Sequence, residues 1–229
     1  MDLHPHEFWQ SIEPPAHDDE APAGGFVQSY PACLPDKRQL RLPIRVLPGD
    51  GTLAVASLIL NQASFAVEDA LADLLAERLT PLAPEVIVAV PTLGLPLANA
   101  VARRLGHTRM VALGTSKKFW YDEALSEPMS SITSPLAGKR IYLDPRMLPI
   151  CEKRRVAVID DVISTGSSMV AVLRLLQKAG IEPVAVGAAM LQGESWRAPL
   201  ASCLDRVVGA FSSPLLERTE EGRWRPAQA

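Results

Sequence analysis

The 229-residue chain carries no excess of positive charge: 23 Lys and Arg stand against 26 Asp and Glu, a formal net charge of −3. No broad basic face is implied, which argues against a nucleic-acid partner. Cysteine is scarce. Cys33, Cys151 and Cys203 are odd in number and form no CxxC pair, so neither a disulfide framework nor a zinc site is expected and the thiols read as free. The four histidines, His4, His6, His17 and His107, lack HExxH spacing. No apolar run reaches membrane-spanning length, and the acidic amino terminus has no signal-peptide core, so the expectation is a cytoplasmic protein with no membrane partner. Internal repeats are absent.

What remains is a chain that is 48% hydrophobic, enough for a substantial core. Its length suits one α/β domain with an appendage, or at most two small domains. Residues 1–36 are rich in proline, acids and small residues and read as a flexible arm, with Phe8, Trp9, Phe26 and Tyr30 as candidates to dock on the domain or on a second subunit. Residues 37–215 read as the domain. Residues 216–229 are charged and read as a frayed tail.

Leu40–Leu47 alternates as a half-exposed strand, Pro48-Gly49-Asp50-Gly51 signals a turn, and 52–60 reads as the second arm of a hairpin. Phe65–Leu79 has helical period, and Glu85–Val90 is a short apolar strand. Met110–Leu113 and Lys139–Leu143 are further strands; between them, 114–138 shows no clean period and is long enough to act as a lid. Glu182–Leu191 and Arg206–Phe211 complete the strand set.

The chain is organised around Arg155–Ser168. Val156–Ile159 is an apolar, β-branched run suited to a strand buried on both faces of a parallel sheet. It ends at two carboxylates, Asp160 and Asp161. Ser164, Thr165, Gly166, Ser167 and Ser168 follow, and then a helix-period segment to Ala179. A turn of this kind aims backbone N–H groups and hydroxyls at one anion, and the helix dipole adds positive potential. The acidic pair suits sugar hydroxyls, a magnesium ion or a developing positive charge. A second strand–turn–helix, Val90 to Leu105, places Thr92, Leu93 and Gly94 where backbone donors can converge on another anion.

Val-Ile-Asp-Asp-Val-Ile-Ser-Thr-Gly-Ser-Ser resembles the phosphoribosyl pyrophosphate (PRPP) motif of the type I phosphoribosyltransferases. The likeness spans about Leu40 to Phe211 and is concentrated in Val156–Ser168. It implies a single α/β domain with a mostly parallel sheet, helices on both faces and a small hood made by the terminal segments. It implies an enzyme that moves the 5-phosphoribosyl group from PRPP to a nitrogenous base and releases pyrophosphate. In that reading Asp160 and Asp161 hold the ribose hydroxyls and, mostly through ribose oxygens or water, Mg2+. The 164–168 turn takes the 5′-phosphate, and Thr92, Leu93 and Gly94 take pyrophosphate. Lys117 and Lys118 neutralise the leaving group, Glu123 is a candidate base, and Met190, Leu191 and Phe211 are base-pocket candidates by position.

Many relatives carry Arg or Lys where this chain has Leu93, so a charge-assisted contact is missing there. The lysine pair and the long loop look most like the adenine and xanthine branch, which favours a purine-type base and purine salvage. Family likeness also implies a homodimer. The rival expectation is a non-catalytic protein of the same fold that binds PRPP or a nucleotide and regulates something else. A phosphohydrolase using Asp160 as nucleophile would want an Asp-x-Asp spacing, which Asp160-Asp161 does not offer.

Overall fold

A computed structural model describes residues 3–15, 24–129 and 140–227. Asp18-Asp19-Glu20 of the expected arm, the far part of the 114–138 loop and Lys139 lie outside these residues. The chain opens with β1 (Ile12–Glu13), β2 (Ser29–Cys33), β3 (Gln39–Val46) and β4 (Leu53–Ala56). Helix α1 (Phe65–Leu79) starts where Ser64 caps it, its side chain accepting the Val67 N–H at 3.2 Å. Next come β5 (Val86–Ala89), α2 (Gly94–Arg104) and β6 (Val111–Ala112). The hairpin β7 (Ser126–Pro128) and β8 (Arg140–Tyr142) precedes the single turn α3 (Leu148–Cys151). The central motif supplies β9 (Val156–Ile163) and α4 (Ser167–Lys178), and β10 (Ala185–Gln192) and β11 (Val207–Ser213) follow it. β12 (Leu215–Arg218) and β13 (Trp224–Pro226) finish the described chain.

Five strands form a parallel sheet in the order β11-β10-β9-β5-β6. From β5 the chain steps outward to β6, and from β9 it steps the other way to β10 and β11. The strand order therefore reverses between β5 and β9. In open α/β sheets the crevice beyond the carboxyl ends at such a point is where ligands bind. Ile87, Ala89, Ala157 and Ile159 pack beneath α1 and α2, and Val88 and Val158 pack beneath α4. The strands at the switch point are thus buried on both faces, as their unbroken apolar runs require.

Over one side lies a second, antiparallel sheet, β1-β3-β4-β12-β13 with β2 joined to β3. This is the expected hood, and both ends of the described chain build it. The hairpin register pairs Ile44 with Ala56 and Val46 with Ala54, but β4 stops at Ala56, well short of Leu60.

Two expectations are corrected within the described residues. The arm is not free: Phe8 and Trp9 are buried in the core, and the Trp9 indole donates to Ser57 O at 2.9 Å. Nor does the tail fray. β12 pairs with β4, Trp224 exchanges two backbone hydrogen bonds with Phe26 (2.7 and 2.8 Å), and Trp224 is only 6% exposed. The reason is aromatic area. A buried Trp removes about 150–250 Å2 from water, on the order of 4–6 kcal/mol, and this, together with the strand pairing of each segment, offsets the cost of ordering the backbone that carries it.

The long loop is also less bare than its sequence reads. Gly114 bridges Tyr142, Asp122 caps a short turn at Glu123–Leu125, and β7 pairs with β8. Trp120 donates to the Asp144 carboxylate at 3.3 Å and lies under the Arg146 guanidinium, 4.5 Å from the ring centre. Tyr121 meets Tyr142 with ring centres 5.9 Å apart. The Arg146 hydrogen bonds hold the Asp144 carboxyl down to about 2, so it is ionised throughout the working range. The aromatic pair anchors this segment to the sheet edge, while Phe119 beside it stands almost fully exposed.

Candidate active site

β5 ends with Ala89 opposite Ile159, and Val90 N–H donates to Ile159 O at 2.9 Å. The chain then turns through Pro91, Thr92 and Leu93, with a cis Pro91–Thr92 peptide, and enters α2 at Gly94. A Cβ on Gly94 would sit 2.8 Å from Asp160 Cα and 2.9 Å from Asp160 Oδ1. Real Cβ atoms do not approach so closely. Only glycine lets the start of α2 rest directly on the first of the two acids. The two glycine-containing turns singled out in the sequence are therefore one site, joined at the Gly94–Asp160 contact.

The β9 strand does not stop at the acids, as its apolar run predicts. It continues to Ile163 because β10 keeps pairing with it, Asp160 opposite Ala188, Val162 opposite Met190 and Ile163 opposite Leu191. Asp160 is buried, Asp161 half-buried, and Asp161 N–H donates to Asp160 Oδ1 at 2.9 Å. Burial raises both carboxyls above the ordinary range, and the Asp161 charge lifts Asp160 further. Two acids that resist ionisation when nothing faces them are poised to welcome a cation or hydroxyl donors.

The sign of this linkage gives a stability prediction. A carboxyl whose folded-state pKa is raised costs no stability below the usual Asp range; the cost builds as pH rises towards the raised value and is complete above it. Asp160→Asn should therefore raise Tm at pH 7–8 by about 2–4 °C, corresponding to about 1 kcal/mol. The gain should vanish below about pH 4, near the ordinary Asp range. Thermal melts across that range check it, and a gain independent of pH would show that charge is not the cause.

Beyond the acids, Ser164 and Thr165 are half-buried, and Gly166 takes φ +78°, the left-handed region. Gly166 is the N-cap of α4 and accepts the Val170 N–H at 2.9 Å. Thr165 Oγ1 and Ser167 Oγ lie 3.1 Å apart, and Ser167 and Ser168 open the helix. The turn has a backing that sequence reasoning missed. Trp196 O and the Leu200 side chain lie 3.3 and 3.4 Å from where a Gly166 Cβ would be, and the buried Trp196 indole donates to Gly193 O at 2.9 Å. An isolated tryptophan in the short polar run after β10 was the available signal. Also unforeseen is Gln192, buried at the end of β10, whose amide donates to Ala56 O at 2.8 Å and ties the sheet to the hood.

The other candidates sort unevenly. Thr92 is exposed and Leu93 half-buried in the first turn. Lys117 and Lys118 are exposed, and Lys117 forms an ion pair with Glu123. That pairing holds the Glu123 carboxyl below its ordinary range, which is the wrong direction for a general base. Met190 and Phe211 stand side by side in register and belong to the core under α1, α2 and the hood. Leu191 packs into the cluster on the opposite face. The three residues therefore do not line one pocket, because neighbouring positions on β10 serve different faces of the sheet. Among the described residues no three His, Cys, Asp or Glu side chains cluster as a metal cage. Asp160 and Asp161 alone fit a hard cation that takes its remaining oxygens from a bound ligand and water.

A family model described as the phosphoribosyl transferase domain matches residues 58–214. A protein of Methanosalsum zhilinae named a hypoxanthine/guanine phosphoribosyltransferase is 33% identical over 96 residues, 42% of this chain and 46% of that protein. The chain thus matches a little under half the length of this curated relative. Adenine phosphoribosyltransferase from Giardia lamblia, solved with 9-deazaadenine, is similar with a TM-score of 0.59 and 21% identity, covering 74% of this chain and 93% of that one. Adenine phosphoribosyltransferase from Rhodothermus marinus is similar at 0.54 and 20%, with the same coverage of 74% and 93%. At these identities the likeness is one of fold.

Proposed function

Because the chain belongs to the phosphoribosyl transferase domain family, we propose that it is an enzyme transferring the 5-phosphoribosyl group from PRPP to a purine-type base with release of pyrophosphate. The observation that carries this reading is the seat of Gly94 on Asp160, which brings the Thr92–Gly94 turn against the acidic pair that leads into the 164–168 turn. The relatives' names, hypoxanthine/guanine and adenine phosphoribosyltransferase, favour a purine over a pyrimidine.

The roles follow from charge. As the bond from C1′ to pyrophosphate loosens, positive charge grows on the sugar. Asp160 and Asp161 hold the ribose hydroxyls and stabilise that charge from a site that disfavours their ionisation when empty. Ser164, Thr165, Gly166, Ser167 and Ser168 bind the 5′-phosphate, and this remote binding fixes C1′. Thr92, Leu93 and Gly94 offer backbone donors to the pyrophosphate. Mg2+, held by Asp160 and Asp161 through ribose oxygens or water, would supply neutralisation of the leaving group. For the base, Met190, Leu191 and Phe211 remain candidates by position; Leu191 is half-buried, whereas Met190 and Phe211 are buried in the core and would have to give way to line a pocket.

Lys117 and Lys118 complete the charge on pyrophosphate. The Lys117–Glu123 pair is on the surface, where such pairs are worth about 0–1 kcal/mol, so pyrophosphate can draw Lys117 away at little cost. Lys117→Ala should lower kcat by about tenfold, in line with one charge-assisted hydrogen bond. Steady-state kinetics on folded variant tests this, and an unchanged kcat removes Lys117 from the site.

The same reading carries a homodimer and a cytoplasmic location as proposals; no helix among the described residues is long and apolar enough to cross a membrane. The deciding experiment is pyrophosphate release from Mg-PRPP with purine and pyrimidine bases offered one at a time. Release that depends on a purine is the expected result. PRPP binding without release for any base would favour the PRPP-binding regulator, a reading kept in view by the uncharged Leu93.

A further inference from the structure

The amino ends of β5 and β6, opposite the crevice, line a separate surface pocket of about 130 Å3. Glu85, His107, Arg109, Ile150 and Arg154 are among its walls. His107 N–H donates to Ala102 O at 2.9 Å and closes the end of α2, but its ring Nε2 is buried without a hydrogen-bond partner. Buried polar atoms are nearly always paired, so an orphan nitrogen on a residue of the pocket wall points to a partner from outside the chain. The two arginines narrow the chemistry of that partner. Arg109 has a single side-chain contact, to Met147 Sδ at 3.3 Å. The Arg154 guanidinium has neither hydrogen bond nor ion pair among the described residues. The one acid, Glu85, accepts Arg155 N–H at 2.9 Å.

Two guanidiniums without carboxylate partners and an orphan imidazole nitrogen outweigh one engaged carboxylate. The balance favours an anion over water. The volume sets its size. At about 130 Å3 the pocket has room for several water-sized groups, and so for a tetrahedral oxyanion.

We propose that this pocket is a second anion site, which binds a phosphate group through Arg109 and Arg154 with His107 donating from Nε2. The phosphate is either free or the terminal group of a nucleotide whose nucleoside remains outside. The site is independent of the 164–168 turn and of turnover.

The test is titration of the full chain with inorganic phosphate at constant ionic strength, following the His107 side-chain nitrogen resonances by NMR. Equilibrium dialysis counts bound phosphate in parallel. Saturable movement of the His107 Nε2 signal is expected, with Arg154→Ala weakening it about tenfold. Arg154 is exposed, so this variant should fold, and binding at the 164–168 turn should persist in it as an internal control. A His107 signal that does not respond, or responds equally in Arg154→Ala, overturns the proposal and leaves a water-filled pocket. Adenosine monophosphate in a second arm separates the sources. A shift matching that of phosphate identifies a nucleotide's phosphate as ligand, and a response to inorganic phosphate alone identifies the free oxyanion.

Discussion

Asp161→Asn should leave the fold intact and lower kcat by about 10²–10³-fold, the usual loss when one preorganised electrostatic contact to the reacting centre is removed. Asn keeps the shape and one oxygen, and Asp161 is half-buried at the mouth of the crevice, so no cavity or clash is introduced. On the proposed reading, what disappears is negative charge beside the ribose as it becomes cationic. The loss should therefore fall on kcat and much less on the KM for PRPP, because the charge is needed most when C1′ is electron-poor. The two carboxyls act on each other through their charges and a side-chain hydrogen bond. The effects of Asp160→Asn and Asp161→Asn on turnover should consequently fall short of additivity. Unchanged turnover in correctly folded Asp161→Asn would remove this carboxylate from the mechanism.

Gly94→Ala is the second substitution expected to act strongly, through a single methyl group. The added carbon would meet Asp160 Cα at 2.8 Å, Oδ1 at 2.9 Å and the carbonyl carbon at 3.2 Å. Two of these are backbone atoms of a central strand and cannot swing aside, so either α2 lifts from the sheet or β9 shifts. Overpacking of this kind costs about 1–3 kcal/mol of stability. The functional cost should be larger in proportion: displacing Asp160 or the Thr92–Gly94 turn by about 1 Å misaligns the sugar with its leaving group, a loss of ~10²-fold in rate. Gly187→Ala is the matched control. Its methyl would meet Ile159 and Leu75 side chains at 3.4–3.6 Å, ordinary contact distances, on the same sheet. Melts and turnover of the two variants side by side decide the matter; if Gly94→Ala behaves as Gly187→Ala does, the close approach has no functional weight.

Much of this architecture can be read in the chain before folding. Ser64 followed by an apolar stripe specifies α1 from Phe65 to Leu79, and the β-branched runs at 86–89 and 156–159 specify strands buried on both faces. The phosphate turn is legible because Gly166 must take a positive φ between a strand and a helix. The strand past Ile159 is not legible, since the acids look like a terminus and only pairing with β10 carries the ladder through them. The hood strands at the far end escape for a similar reason. Leu-Leu-Glu-Arg and Trp-Arg-Pro have too few apolar residues to signal a strand, and become one only when β4 and Phe26 are alongside. The Gly94–Asp160 contact joins positions far apart in sequence and depends on how closely a helix lies on a sheet. No spacing rule encodes it. The base-pocket candidates could not be sorted in the sequence because chain position alone does not say which face of β10 each side chain serves or how deeply it is buried.

The way the hood is assembled has a consequence for synthesis. β3 and β4 emerge early, but their sheet is completed only by β12 and β13, roughly 160 residues later at a ribosome that adds about 5–20 residues per second. For an interval on the order of 10–30 s, the nascent chain carries the open edge of β4, with Ala54 lacking its partner Leu216 and the core under the hood lacking Leu216 and Trp224. The central sheet can form behind it in the meantime. Closure of the hood then follows formation of the central sheet, and chains that stop before residue 224 should be recognised by chaperones through that uncovered edge.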